Sequence, residues 1–176
     1  MALSELPLIA RSRSREDRTA ILAPEGVFTY RQLLDASARV AACLLDGAED
    51  LHEKRVAFLT PPGFEYPAVQ WGIWRAGGIA VPLCSSHPRP ELEYVILDAD
   101  ADIVVAHPQF AKILGSIASE HHRRLVMTPA ALSHSEAPLP SIDAGRRALI
   151  LYTSGTTSKP KGVVTKIGRA SCRERV

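Results

Sequence analysis

The chain has 176 residues, 46% hydrophobic and 23% charged, which suits one ordinary globular domain with a core of useful size. Its net charge of +2 comes from the end: without Lys166–Val176, Lys+Arg falls from 21 to 17 and Asp+Glu from 19 to 18, leaving −1, so nucleic-acid binding has no support. No apolar run is long enough to span a bilayer, and three cysteines, Cys43, Cys84 and Cys172, without metal-type spacing fit free thiols in a reducing compartment.

The first ten residues, MALSELPLIA, carry Glu5 and lack the apolar centre of a signal peptide. Arg11, Arg13, Arg15 and Arg18 alternate with Ser12 and Ser14 in the manner of a transit peptide, but Glu16 and Asp17 interrupt the pattern. Residues 1–16 are therefore expected to form a solvated arm of a cytoplasmic protein, with mitochondrial or peroxisomal addressing left open. Thr19–Tyr30 reads as a hairpin turning at Glu25-Gly26. Thr29 and Gln32 have the spacing of a capping box. Leu33, Ser37, Val40, Ala41, Leu44 and Leu45 then recur at helical spacing up to Gly47.

Arg55–Thr60 (RVAFLT) is a continuous apolar run, the pattern of a strand buried on both faces. Pro61-Pro62-Gly63 breaks it, and EYPAVQWGIWRAGG predicts a helix ended by Gly77 and Gly78. On it Val69, Ile73 and Ala76 share a face with Tyr66, and Trp71 and Trp74 are assigned to packing. Ile79–Leu83 is the next strand, so strand, helix and strand imply a right-handed parallel crossover. Ser86, His87 and Pro88 lead into a helix bearing Glu91, Tyr94, Val95 and Asp98. His87 lies near Cys84, but two such ligands do not make a metal site, and none is assigned. Asp102–Ala106 is a strand, Pro108 opens a helix running to about Glu120, and His121 and His122 close it in a structural role. Leu125–Met127 is expected to be the last parallel strand. Thr128–Gly145, rich in Pro, Ser and Ala, is expected to be a long surface connection. The alternation predicts an α/β fold with an open, mostly parallel sheet and flanking helices.

The chemistry concentrates in YTSGTTSKPKG, Tyr152–Gly162, after the apolar run Ala148–Leu151. Hydroxyls donate to phosphate oxygens, glycine lets backbone N–H groups approach them, and lysine supplies a compact positive charge. The stretch is not the P-loop G-x-x-x-x-G-K-[ST]. Counted from Gly155, the second glycine would fall on Pro160; counted back from Gly162, Val163 stands where lysine is required. A polar turn between two strands has a similar composition.

Tyr152–Val163 closely resembles the signature phosphate loop of the adenylate-forming (AMP-binding) superfamily, roughly [YF]-T-S-G-[ST]-T-G-x-P-K-G-V. The stretches AVQWGIWRAGGIAVPL and HPRPELEYVILDADADIVVA look most like acyl-CoA synthetases of the malonyl-CoA synthetase-like branch. The resemblance runs over 17–165, the front part of a longer ligase large domain. It implies that Thr153, Ser154, Gly155, Thr156, Thr157 and Lys161 contact the ATP β- and γ-phosphates, with Gly162 closing the loop and Lys159 a solvated flank. Ser158 departs from the family's glycine and must avoid positive φ or carry strain.

The implied chemistry is adenylation of a small carboxylic acid by ATP with Mg²⁺, then thioester formation with CoA. Malonate is implied by overall resemblance, within fatty acid metabolism. The family's acid-binding and adenine-binding segments and its catalytic lysine follow the loop, so no catalytic residue is assigned here and the fragment is expected to be inactive by itself. A peptide-synthetase adenylation domain and a noncatalytic nucleotide-binding module are the alternatives. Residues 166–176 are expected to be a non-native tail, because IGRASCRERV resembles the translation of a sequencing adapter where the family continues Thr-His-x-Asn.

Overall fold

A computed structural model describes residues 6–153 and 160–166. It begins with helix α1, Pro7–Arg13, rather than a solvated arm. Proline is suited to the first helical position, where no N–H is needed. Leu6 and Ile9 lie three residues apart on the same face and are buried in the main core, and Ser12 Oγ donates to the Leu8 carbonyl at 2.8 Å. The arginines that suggested solvation, Arg11 and Arg13, occupy the last turn, where the helix dipole favours cations.

Strands β1, Thr19–Ala23, and β2, Gly26–Thr29, form the expected antiparallel hairpin, but its turn is one residue earlier, at Pro24-Glu25. Proline pre-sets the first turn position, which leaves Gly26 to pair with Ala23. Helix α2, Tyr30–Leu45, starts with the anticipated capping box: Gln32 N donates to Thr29 Oγ1 at 3.3 Å and Thr29 N to Gln32 Oε1 at 2.8 Å. Left-handed Asp46 and Gly47 end it.

The chain then alternates strand and helix: β3 Arg55–Leu59, α3 Glu65–Arg75, β4 Ile79–Pro82, α4 Arg89–Asp98, β5 Ile103–Ala106, α5 Ala111–Glu120 and β6 Arg124–Met127. A short 3₁₀ turn, Pro108–Phe110, precedes α5 where a continuous helix was expected; the His107 ring accepts from Gln109 N at 3.1 Å and caps that turn. Helix α6, Thr128–Leu132, and strands β7, Arg147–Thr153, and β8, Lys161–Lys166, complete the described chain. The larger sheet has the order β6-β5-β3-β4-β7-β8, all parallel except for β8, which runs antiparallel beside β7. Thus β6 is not the last parallel strand, because the sheet also extends from β4 to β7.

Strand β3 divides the interior. Val56, Ala57, Phe58 and Leu59 are each no more than 2% exposed. Val56 and Phe58 join a core with α1, α2 and α3; Ala57 and Leu59 join another with α4 and α5. Helices α2 and α3 pack so closely that a Cβ on Gly72 would fall 2.5 Å from Val40 Cγ1. Trp74 is buried and donates from Nε1 to the Ala148 carbonyl at 2.7 Å, while Trp71 packs partly buried on the same core, in keeping with their packing assignment. The connection after β6 is not wholly superficial: Thr128, Ala131 and Ile142 are buried, with Ala131 and Ile142 joining the main core in a segment otherwise dominated by Pro and Ser. Among the described residues no helix is long and apolar enough to cross a membrane.

Phe58→Ala is expected to cost about 3–5 kcal/mol, since it removes a fully buried ring between the sheet and the helices that cover it. Leu22, 78% exposed on the small hairpin, should tolerate serine within about 0.5 kcal/mol. Urea unfolding of the two variants checks both; equal losses would contradict this division of the core.

Candidate functional site

Strand β7 carries the chain to the phosphate-loop motif, and its start is fixed from three sides. Arg146 Nη1 lies 2.7 Å from Asp50 Oδ2. Arg147 donates to Glu53 through its backbone N at 2.8 Å and Nε at 2.9 Å. Ala148 accepts from Trp74. Those acidic partners sit in a turn held by two left-handed residues, His52 (φ 50°) and Glu53 (φ 62°), just before β3. Hydrogen bonds from the Arg147 side chain and backbone hold the Glu53 carboxyl below its ordinary range.

At its far end β7 meets β8 in antiparallel register, with Thr153 opposite Lys161 and Tyr152 opposite Gly162. Of the residues assigned to phosphate binding, the structure brings together Thr153, Lys161 and Gly162, with Thr153 and Lys161 both exposed. Ser154, Gly155, Thr156 and Thr157 lie outside the described residues, as do Ser158 and Lys159. The motif therefore joins two strands, and Pro160 leads into a strand rather than a helix. Gly162 has a packing reason too. A Cβ there would lie 2.9 Å from Ile150 Cγ2 and 3.2 Å from the Tyr152 ring.

Helix α4 reaches both ends of the motif. Tyr152 Oη donates to Asp98 Oδ2 at 2.7 Å. Tyr94 Oη lies 3.2 Å from the Pro160 carbonyl oxygen and 3.4 Å from Asp98 Oδ1. The two phenol rings meet edge to face, with centroids 6.4 Å apart. Burial, aided by the hydrogen bond to Asp98, pushes the Tyr152 phenol well above its ordinary value, so it is a neutral donor throughout the physiological range. The sequence predicts the helix that bears Tyr94 and Asp98 but not this role. Their i, i+4 spacing and the phenol at the start of the loop were the available signals.

Elsewhere, ligand atoms of Glu93, Glu120 and His121 lie within 4.8 Å of one another, a cluster the sequence did not single out. Its carboxylates are already engaged: Glu93 contacts His121 Nε2 at 2.6 Å, and Glu120 takes Arg89 at 2.6 Å and Ser116 at 2.7 Å. Arg89 supplies the local cation. Cys84 and His87 have separate neighbours, Ser86 at 3.1 Å and Glu91 at 3.5 Å.

The AMP-binding enzyme family matches residues 9–173. The chain is 37% identical over 170 residues to the mitochondrial malonate–CoA ligase of Homo sapiens, covering 90% of this chain and 30% of that protein. It is 30% identical over 174 residues to the malonate–CoA ligase of Arabidopsis thaliana, covering 84% and 29%. Among solved structures, ATP-bound MatB from Rhodopseudomonas palustris matches with a TM-score of 0.78 at 30% identity, over 95% of this chain and 36% of that one. The chain thus spans about 30% of the length of these two malonate–CoA ligases.

The Glu53–Arg147 contact has a defined pH signature. Because Glu53 is held below the value it has unfolded, its stabilisation is present above the ordinary carboxylate range and is lost as pH falls through the folded value. Glu53→Gln should cost up to about 1 kcal/mol at pH 7. It should also reduce the difference in urea stability between pH 7 and pH 3; an unchanged difference would contradict the assignment.

Proposed function

The chain belongs to the AMP-binding enzyme family, and on that premise we propose that Tyr152–Gly162 is the phosphate-binding loop of an ATP-dependent acid–CoA ligase. The observation that carries the reading is the pairing of Thr153 with Lys161 at the mouth of the β7–β8 hairpin. The loop leaves the C-terminal end of a parallel strand, the end at which open α/β sheets bind ligands. There the hydroxyls of Thr153, Ser154, Thr156 and Thr157 supply donors, Gly155 permits close backbone approach, and the Lys161 ammonium offsets phosphate charge.

The reaction this serves is in-line attack of a carboxylate on the α-phosphate. The loop holds the β- and γ-phosphates in line with the leaving direction and stabilises the charge that develops on them. A thioester with CoA is the second step. Magnesium bound with the nucleotide supplies further charge neutralisation; the side-chain oxygens offered by this loop are hydroxyls, which fit an ion already ligated by phosphate oxygens. The groups that bind the acid and CoA are assigned to the part of the relatives beyond this segment. Malonate is the acid favoured by two relatives named as malonate–CoA ligases. The exposed free thiol of Cys84 fits a reducing compartment such as the cytoplasm. The human relative is named as mitochondrial; here α1 is folded onto α2 and reads as part of the domain.

Calorimetric titration of the chain with ATP and with AMP tests the loop. ATP should bind more tightly than AMP, and Lys161→Ala should weaken ATP binding about tenfold, equivalent to about 1.4 kcal/mol. Equal affinity for the two nucleotides would overturn the assignment. The acid is tested separately, in a protein of the relatives' length that carries this segment. Malonate-dependent formation of AMP and malonyl-CoA supports it; turnover of other acids alone would exclude malonate.

A further inference from the structure

We propose that Tyr94 and Asp98, one turn apart on α4, are positioning residues that hold the two ends of the phosphate loop and thereby set its grip on the β- and γ-phosphates of a nucleoside triphosphate. The proposal rests on the phosphate-loop reading given above and adds to it two residues that lie far from the motif in sequence.

Three observations carry it. Asp98 takes the Tyr152 hydroxyl on the side where the chain enters the loop, and Tyr94 faces the Pro160 carbonyl on the side where it leaves. One helical turn therefore fixes both ends, and their separation with them. Second, among the described strands β8 is bonded only to β7, so α4 is the element outside the hairpin that touches both ends of the loop. Third, the charge balance suits a phosphate neighbour. A carboxylate beside a polyphosphate is unfavourable, but Asp98 Oδ2 accepts the Tyr152 hydroxyl at 2.7 Å, while the one Tyr94 hydroxyl proton serves the Pro160 carbonyl at 3.2 Å. The Asp98 charge is thus engaged with β7. The bare backbone of Gly162, opposite Tyr152, leaves room for the ring to take that position.

The test uses the full chain and the variants Tyr94→Phe, Tyr152→Phe, Asp98→Ala and Asp98→Asn. Each is titrated with ATP and AMP, its urea midpoint is measured, and amide exchange at Thr153, Lys161 and Gly162 is followed by NMR without nucleotide. Tyr152→Phe and Asp98→Ala should weaken ATP binding about tenfold and Tyr94→Phe by less, with AMP binding and the urea midpoint little changed. Exchange at the three amides should accelerate. Asp98→Asn keeps an acceptor for Tyr152 and should restore most of the affinity, which separates positioning from a simple charge effect. If Asp98→Ala leaves exchange at these amides unchanged, or if affinity falls only in step with the urea midpoint, the proposal is overturned. If the unmodified chain does not prefer ATP to AMP, the phosphate-loop reading fails on its own. Accelerated exchange would then still support the anchoring by α4, and unchanged exchange would overturn it.

Discussion

The burial of β3 on both faces is the constraint from which the rest of the architecture follows. A strand with alternating side chains can be apolar throughout only if each face has its own cover. Val56 and Phe58 require the layer of α1, α2 and α3, and Ala57 and Leu59 require α4 and α5. Parallel neighbours β4 and β5 then follow, because each covering helix needs a crossover to return the chain. The sheet grows outward from there, and exposure rises with distance. Among the described residues, Val163 and Val164 of β8 are half exposed.

The site occupies the less buried side of this gradient, so it depends on polar anchors. At the start of β7 two ion pairs, Asp50–Arg146 and Glu53–Arg147, and the bond from Trp74 to Ala148 fix where the strand begins. At its end the phenol of Tyr152 finds Asp98. Exposed ion pairs contribute little singly, but hydrogen bonds are directional, and a row of them along one strand specifies its position more than its stability. A loop proposed to meet several phosphate oxygens needs that position defined.

What could be read from the sequence was local or periodic. RVAFLT announced a buried strand, Thr29 and Gln32 announced a cap, and the alternation of strands and helices announced the parallel sheet. The misses were places where one local signal hid another. The arginines of α1 obscured the pairing of Leu6 with Ile9, Pro24 moved a turn that Gly26 seemed to mark, and Ala131 and Ile142 are too short or too isolated to stand out in a Pro- and Ser-rich connection. The tie from Tyr94 to Pro160 spans 66 residues, a separation at which no periodicity operates. Of the motif itself, the residue types were legible, whereas the strand-to-strand geometry that opposes Thr153 and Lys161 was not.

That geometry changes how a phosphate loop can work. A loop opening onto a helix obtains directed N–H groups and a positive dipole from the helix itself. Here Pro160 precedes a strand, and antiparallel strands contribute almost no net dipole. The proposed grip on phosphate then falls to lysine, a dense set of hydroxyls and the N–H groups that glycine leaves accessible, without a helix dipole. A helix also holds its first turn through its own hydrogen bonds; here the two ends of the loop are instead tied to a packed neighbour, α4, itself fixed by the burial of Leu92, Val95 and Ile96 against the second core. The placement of the loop's two ends is thus traceable, through α4, to the same two-sided burial that organises the sheet.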